Sequence, residues 1–199
     1  MQDTHRKILQ AAIRLFTEQG YAATPTRQIA EEAGVNEVTL FRHFGSKEAL
    51  FQEAIQANSA VPRLAKGLES EMTGDLAADL TRLGEGFFRT MLERRKAILM
   101  TLWEAERQPE IRPLVARIPA AQRRILSAYL QNQIEAGRIR PMNPETAAQA
   151  FLGMFMAYAI NQALMPPEAS SIPPTAIAEQ FVHIFLHGIQ TNINKGNAP

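Results

Sequence analysis

Cysteine is absent from this 199-residue chain, which excludes a disulfide framework, a thiolate metal site and a cysteine nucleophile. A reducing cytoplasm suits that composition. The opening MQDTHRK has no apolar run of the kind that makes a signal peptide, so secretion is not expected. Neither charge sign is in excess: 21 Lys and Arg face 20 Asp and Glu, for a net charge of +1. Met1 to Lys66 carries eight basic against seven acidic residues. Binding to nucleic acid would therefore depend on where particular cations point, not on a basic protein. Strand-like alternation is missing from Asp75 onward, and the chain has no internal repeats, low-complexity blocks or heptad runs. What remains is 46% apolar residues, enough for a folded globule with a real core.

The most specific stretch runs from Thr24 to Lys47, TPTRQIAEEAGVNEVTLFRHFGSK. Thr24 is expected to cap a helix whose first position is Pro25, where a missing N–H costs nothing. Ile29, Ala30 and Ala33 give that helix an apolar edge. Gly34 sits where a helix ends in left-handed geometry, Val35 fills the corner, and Asn36 can cap the next helix. There Leu40 and Phe44, four apart, face inward with Phe41 beside them. Val38, Thr39, Arg42 and His43 form a stripe the core does not need. A short helix held by two or three anchors, with a mixed polar stripe outward, is what a helix-turn-helix presents to the major groove.

Around this stretch the chain reads as all-α. Ile8, Ala12, Leu15 and Phe16 make one face of a helix from His5 to Gln19, stopped by Gly20. Gly45-Ser46 breaks the third helix, and Ser46 caps a fourth running from Lys47 towards Leu64, with Leu50, Phe51, Ala54 and Ile55 inward. Gly67 to Gly74 is expected to be a connection. Helices follow over Leu76–Arg94, weakened by Gly84 and Gly86, over Lys96–Glu106, and from Pro109 to Ala136, closed by Gly137. Asn143-Pro144 starts the next, to about Met165. A last helix, Thr175 to about Gln190, should bury Ile177, Phe181, Ile184, Phe185 and Gly188, and the tail after Thr191 should fray. Thr146–Pro167 contains no Asp, Glu, Lys, Arg or His. It nearly reaches membrane-spanning length. Gln149, Asn161 and Gln162 argue instead for a helix buried between its own core and a partner surface.

The N-terminal fifty or so residues resemble the TetR family of bacterial transcriptional regulators. The matching residues are the Ile8–Phe16 helix, Gly20-Tyr21, Thr24, Arg27, Ile29-Ala30, Ala33-Gly34-Val35, Thr39 to Phe44, and Ser46-Lys47. Pro109-Glu110, Gly137 to Pro141 and Pro144-Glu145 before a long apolar helix are similar to the AcrR-like branch, in layout more than in motif. The resemblance implies an all-helical homodimer of about nine helices per chain. It implies a helix-turn-helix domain over 2–62, with the motif at 25–44, and a ligand-binding and dimerisation domain over 63–199 that pairs through the last two long helices. It implies an operator of double-stranded DNA and a small, largely apolar effector that releases a repressor. Residue by residue, Asn36, Glu37, Val38, Thr39 and Arg42 fall where the family approaches base edges. Thr26, Arg27, Phe41, His43 and Lys47 fall where it touches phosphates. Position 41 is often tyrosine in the family; Phe41 has no hydroxyl for a phosphate and can serve packing alone. Glu37 is either a first-turn acid suited to the helix dipole or an acceptor for a cytosine amino group; the first is favoured.

Candidates for the ligand cavity are Phe87, Phe88, Met91, Met100, Trp103, Glu104, Arg107, Phe151, Met154, Phe155 and Tyr158, with ordinary core packing as the alternative. Trp103 with Glu104 and Arg107 is the best cluster for polar selectivity. His183 and His187, with Glu179 a turn earlier, could hold a surface metal. Such pairs more often face solvent or an interface, so no metal is expected. A helical enzyme finds no support: no glycine-rich phosphate loop, metal-ligand cluster or nucleophile with its base is evident, so neither catalytic residues nor a cofactor are assigned.

Overall fold

Residues 2–70, 72–164 and 172–189 are described by a computed structural model of the chain. Among them ten helices follow in order: α1 (Gln2–Gln19), α2 (Thr26–Glu32), α3 (Glu37–Phe44), α4 (Lys47–Ala57), α5 (Val61–Ser70), α6 (Leu76–Glu93), α7 (Arg95–Arg107), α8 (Arg112–Glu135), α9 (Pro144–Leu164) and α10 (Pro174–Ile189). They fall into two compact units. One comprises the residues up to Pro62 together with Glu93–Ala121, the other Arg63–Leu92 and the residues from Gln122 onward.

In the first unit the apolar face of α1 (Ile8, Ala11, Ala12, Leu15 and Phe16) is buried with Ile29 and Ala30 of α2, Leu40 and Phe44 of α3, and Leu50, Phe51 and Ala54 of α4. Ala105, Ile111 and Val115, from far along the chain, complete this core. Thr24 does not cap α2. Pro25 takes that place with extended backbone and no side-chain cap. The buried Thr24 hydroxyl donates instead to the carbonyls of Gly20, at 2.7 Å, and Leu15, at 3.4 Å. It thus ties the turn after α1 back to the end of that helix. The fourth helix stops at Ala57, short of Leu64. The Ser59 hydroxyl donates to Gln56 O at 2.7 Å and accepts from the Val61 N–H at 3.1 Å, so a new helix starts there. Pro62 falls in its first turn, where proline is tolerated. This break is why ten helices replace the expected nine.

In the second unit Gly67 lies inside α5, not in a connection, and a Cβ there would stand 3.0 Å from Leu83 Cδ2. Gly84 is likewise a packing requirement: its Cβ would fall 2.5 Å from the Phe155 ring. Around it Phe151, Phe155, Phe181 and Phe185 pack with centroids 5.1–5.2 Å apart, and Phe88 adds 5.5 Å to Tyr158. Such tilted and edge-on pairs add about 0.5–1.5 kcal/mol each beyond area burial. α8 continues through Pro119, which leaves the Val115 carbonyl without its helical donor. On α10 the buried face is Ile177, Ala178, Val182, Phe185 and Leu186. Ile184 lies opposite, 61% exposed, contrary to expectation, and Phe181 is half-buried. The expected burial of Gly188 and the fraying tail lie outside the described side chains and residues.

The loop before α6 closes on Asp79. Its carboxylate, 1% exposed, accepts from Thr73 N–H and Oγ1 at 2.8 and 2.7 Å, Gly74 N–H at 3.1 Å and the Tyr129 hydroxyl at 3.4 Å. Burial alone would raise its pKa; the hydrogen bonds from Thr73 and Gly74 outweigh that and hold it below the usual carboxylate range. Burial, with Asp79 alongside, pushes Tyr129 up to about 12.

Two outcomes follow from this unit. Gly84→Val should cost about 1–3 kcal/mol of unfolding free energy in urea, because the Phe155 ring has to move. Asp79→Asn should cost about 1.5–3 kcal/mol at neutral pH. Because the folded pKa is depressed, the wild-type advantage is full above the ordinary carboxylate pKa and fades as pH falls through the folded one. The melting temperatures of the two proteins should therefore draw together as the pH is lowered from 7.

Candidate nucleic-acid interface

The turn between α2 and α3 is fixed at both ends by backbone bonding that the sequence dictates. Gly34 adopts φ 69°, its N–H reaches Glu31 O at 3.1 Å, and the Val35 N–H reaches Ala30 O at 2.9 Å. This is a Schellman stop. Asn36 Oδ1 then accepts from the Thr39 N–H at 2.8 Å and starts α3. Gly45, at φ 77°, ends it, and Ser46 Oγ accepts from Ala49 N–H at 3.1 Å to start α4. Eight residues are too few for a helix to persist by itself. Leu40 and Phe44, buried in the core of α1 and α4, hold it in place.

The opposite side of α3 is open. Val38 is 77% and Phe41 40% exposed; Arg42 is exposed and Thr39 half-buried. Arg42 has no carboxylate partner among the described residues. The other candidates are engaged. The Thr26 hydroxyl donates to the Glu37 carboxylate, pinning the first turn of α2 to that of α3, so Glu37 is spent on the fold's own geometry. Arg27 pairs with Glu31 at 2.9 Å. The His43 ring meets His5 edge-on at 5.9 Å, while His5 stacks on Phe44 at 4.4 Å and reaches Glu53 at 2.6 Å. Lys47 Nζ stands 4.4 Å over the Tyr21 ring, and burial lowers its pKa. Tyr21 and Glu53, joined to the candidates only through space, gave no local signal. In the first turns of α1, Asp3 binds Arg6 and Lys7, each at 2.8 Å.

The expected pocket residues divide by unit. In the second, Phe87, Phe88, Phe151 and Phe155 are at most 2% exposed. These four rings are close-packed against their neighbours in this structure. Met91 is buried with them, and Met154 and Tyr158 are half-buried. In the first unit Trp103 is 63% exposed, Arg107 exposed and Met100 half-buried. Glu104 is committed to the α1–α2 turn, where it accepts from the Tyr21 N–H at 3.0 Å. A cleft of about 520 Å³ in this unit is lined by residues of α1 and of the α6–α7 junction, among them Arg14, Glu18, Arg94 and Lys96. None of the expected pocket residues borders it. His187 Nδ1 lies 2.7 Å from His183 O. No group of three metal-ligating side chains forms among the described residues, and no described helix is long and apolar enough to cross a membrane.

A capped helix-turn-helix on a three-helix head, followed by a larger helical region, defines the class of DNA-binding transcriptional regulators. Comparison with known proteins agrees. The profile of bacterial regulatory proteins of the tetR family matches residues 8–54, and that of the AefR-like transcriptional repressor C-terminal domain matches residues 78–188. The chain belongs to the TetR family of transcriptional regulators. It is 29% identical over 193 residues to the uncharacterized HTH-type transcriptional regulator YvkB of Bacillus subtilis, covering 96% of this chain and 100% of that one. It is 30% identical over 164 residues to YhgD of the same organism, covering 78% and 82%. Among solved structures it is similar to the flavonoid-responsive regulator FrrA, with TM-score 0.74, 26% identity, and 96% and 100% covered. The Bacillus subtilis regulator FadR in complex with stearoyl-CoA has the same fold, with TM-score 0.70, 20% identity, and 93% and 99% covered.

Leu40→Ala should lower unfolding free energy by about 2–5 kcal/mol, and Asn36→Ala by about 1 kcal/mol. Chemical denaturation followed by circular dichroism checks both.

Proposed function

We propose that the protein is a repressor that binds a near-palindromic operator as a homodimer and leaves it when a small, largely apolar ligand binds. The observation that carries this reading is α3 itself: Leu40 and Phe44 are buried on one side, and Arg42 is exposed on the other with no carboxylate among the described residues to satisfy it. Val38 offers an apolar contact for a thymine methyl, Thr39 a hydroxyl, and Arg42 a fork suited to guanine. Asn36 and Glu37 serve that helix by holding its first turn. Arg27 and His43 reach phosphates at its flanks, Arg27 by exchanging Glu31 for the backbone. Thr26 and Lys47 approach the same backbone, and Phe41 shields the edge of the contact.

Dimerisation is assigned to α9 and α10. The stretch of α9 from Thr146 to Leu164, which carries no charged side chain, supports it, since a helix apolar on most sides is stabilised by burial against a partner. An effector entering the second unit has to part rings that now touch, Tyr158 and Phe181 being half-buried where Phe88 beside them is fully enclosed. Ligands with large apolar parts, a flavonoid and stearoyl-CoA, are named for two structures of the same fold, which supports that class. The ligand acts by its difference in affinity between the operator-competent spacing of the heads and a wider one. The cellular site of action is the cytoplasm, where the operator is.

Selection of bound DNA from a random pool tests the assignment. Two related half-sites about one duplex turn, roughly 34 Å, apart are expected; absence of any enriched sequence would refute it. Arg42→Ala should cost about 1–3 kcal/mol of operator affinity. Its melting free energy should stay within about 0.5 kcal/mol of wild type. Equal loss of both would make Arg42 a fold residue.

A further inference from the structure

The turn between α1 and α2 carries a carboxylate from a distant part of the chain. Gly20 ends α1 at φ 84° with its N–H on Phe16 O at 3.0 Å. The next two N–H groups, of Tyr21 and Ala22, donate to Glu104 Oε2 of α7 at 3.0 and 3.3 Å. Gln108 Nε2 donates to the same oxygen at 2.5 Å. Successive backbone donors converging on one anion form a nest, and hydrogen bonds to an ionised acceptor are the stronger kind. A Cβ at position 20 would meet Glu104 Oε1 at 2.8 Å. Glycine is favoured there by its backbone angle, and a larger side chain would have to displace the arriving carboxylate.

Tyr21 continues the connection. Its ring packs on Phe51 at 4.8 Å and on Phe16 at 5.9 Å, and its hydroxyl donates to Glu48 Oε1 at 3.1 Å. Lys47 lies over its face. Lys47 and Glu48 are the first two residues of α4, reached from the end of α3 through Gly45 and Ser46 alone. The charge of Glu104 also acts directly on Lys47, favouring the ammonium against the burial that opposes it.

We propose that Glu104 is a positioning residue for operator recognition: by fixing Tyr21, and through it Lys47 and the end of α3, it sets the angle at which the recognition helix meets its half-site. The proposal rests on the DNA-binding reading above. Ala22 is exposed, so water can satisfy its freed N–H; Tyr21 is buried, so losing the carboxylate costs some stability as well as position.

The test uses the full-length protein, the operator selected by the wild type, and a panel of the same half-sites moved apart or together by one and two base pairs. Wild type should discriminate steeply between spacings. Glu104→Ala should bind the best spacing about tenfold more weakly, the scale of a lost charge-assisted hydrogen bond, and should distinguish the others far less, giving a flattened profile. Glu104→Gln, which retains an acceptor oxygen, should fall between them, and carries the same test if the alanine variant does not fold. A profile as steep as wild type, or a parallel loss at every spacing with a lowered melting temperature, overturns the proposal. Absence of selective binding by the wild type would instead remove the DNA-binding reading beneath it.

Discussion

Burial of Leu40 and Phe44 is the constraint on which the exposed half of the head depends. An eight-residue helix has too few internal hydrogen bonds to repay its own nucleation. It exists because two side chains on one edge enter a core built by α1 and α4. That leaves the other edge unconstrained by packing and available for whatever the molecule must touch. The caps at Asn36 and Ser46 and the positive-φ glycines at 34 and 45 refine this arrangement. They set where the helix begins and ends, while the two anchors decide that it persists and which way it faces.

The same logic of shared anchors extends through the charged groups of the first unit. Thr26 and Glu37 join the starts of α2 and α3. His5, stacked on Phe44 and bound to Glu53, joins α1 to α4 around the end of α3. Arg14 reaches both Glu18 and Glu32. These pairs lie at the surface, where each contributes little free energy by itself. Their effect is geometric: they restrict the directions in which three short helices can turn relative to one another. The second unit uses another device, a cluster of aromatic rings about a glycine, where shape does the same work without charge.

How much of this was legible in the sequence depends on the range of the interaction. The stops and caps at Gly34, Asn36, Gly45 and Ser46 act within a few residues and could be read directly. So could the periodic burial of Ile8, Leu15, Phe16, Leu40 and Phe44. The Thr24 hydroxyl can turn forward to a helix start or back to a helix end, and the residues beside it do not distinguish the two; in the structure it turns back. The break after Ala57 depends on the Ser59 hydroxyl bonding on both sides of it, which no residue pattern signals. Phe87, Phe88, Phe151 and Phe155 have the spacing of a buried face, which is the same whether the face lines a cavity or closes one. Glu104 and Tyr21 are 83 residues apart, and nothing local announces their meeting.

The presence of Ala105, Ile111 and Val115 in the core of the head bears on how such proteins can be taken apart. A helix-turn-helix is often imagined as a cassette to be cut at the first linker and grafted elsewhere. Here the excised N-terminal piece would carry an uncovered apolar socket where Ile111, fully enclosed in the intact chain, belongs. A chimera built from this protein should therefore borrow two segments rather than one, the second reaching from Glu93 to Ala121.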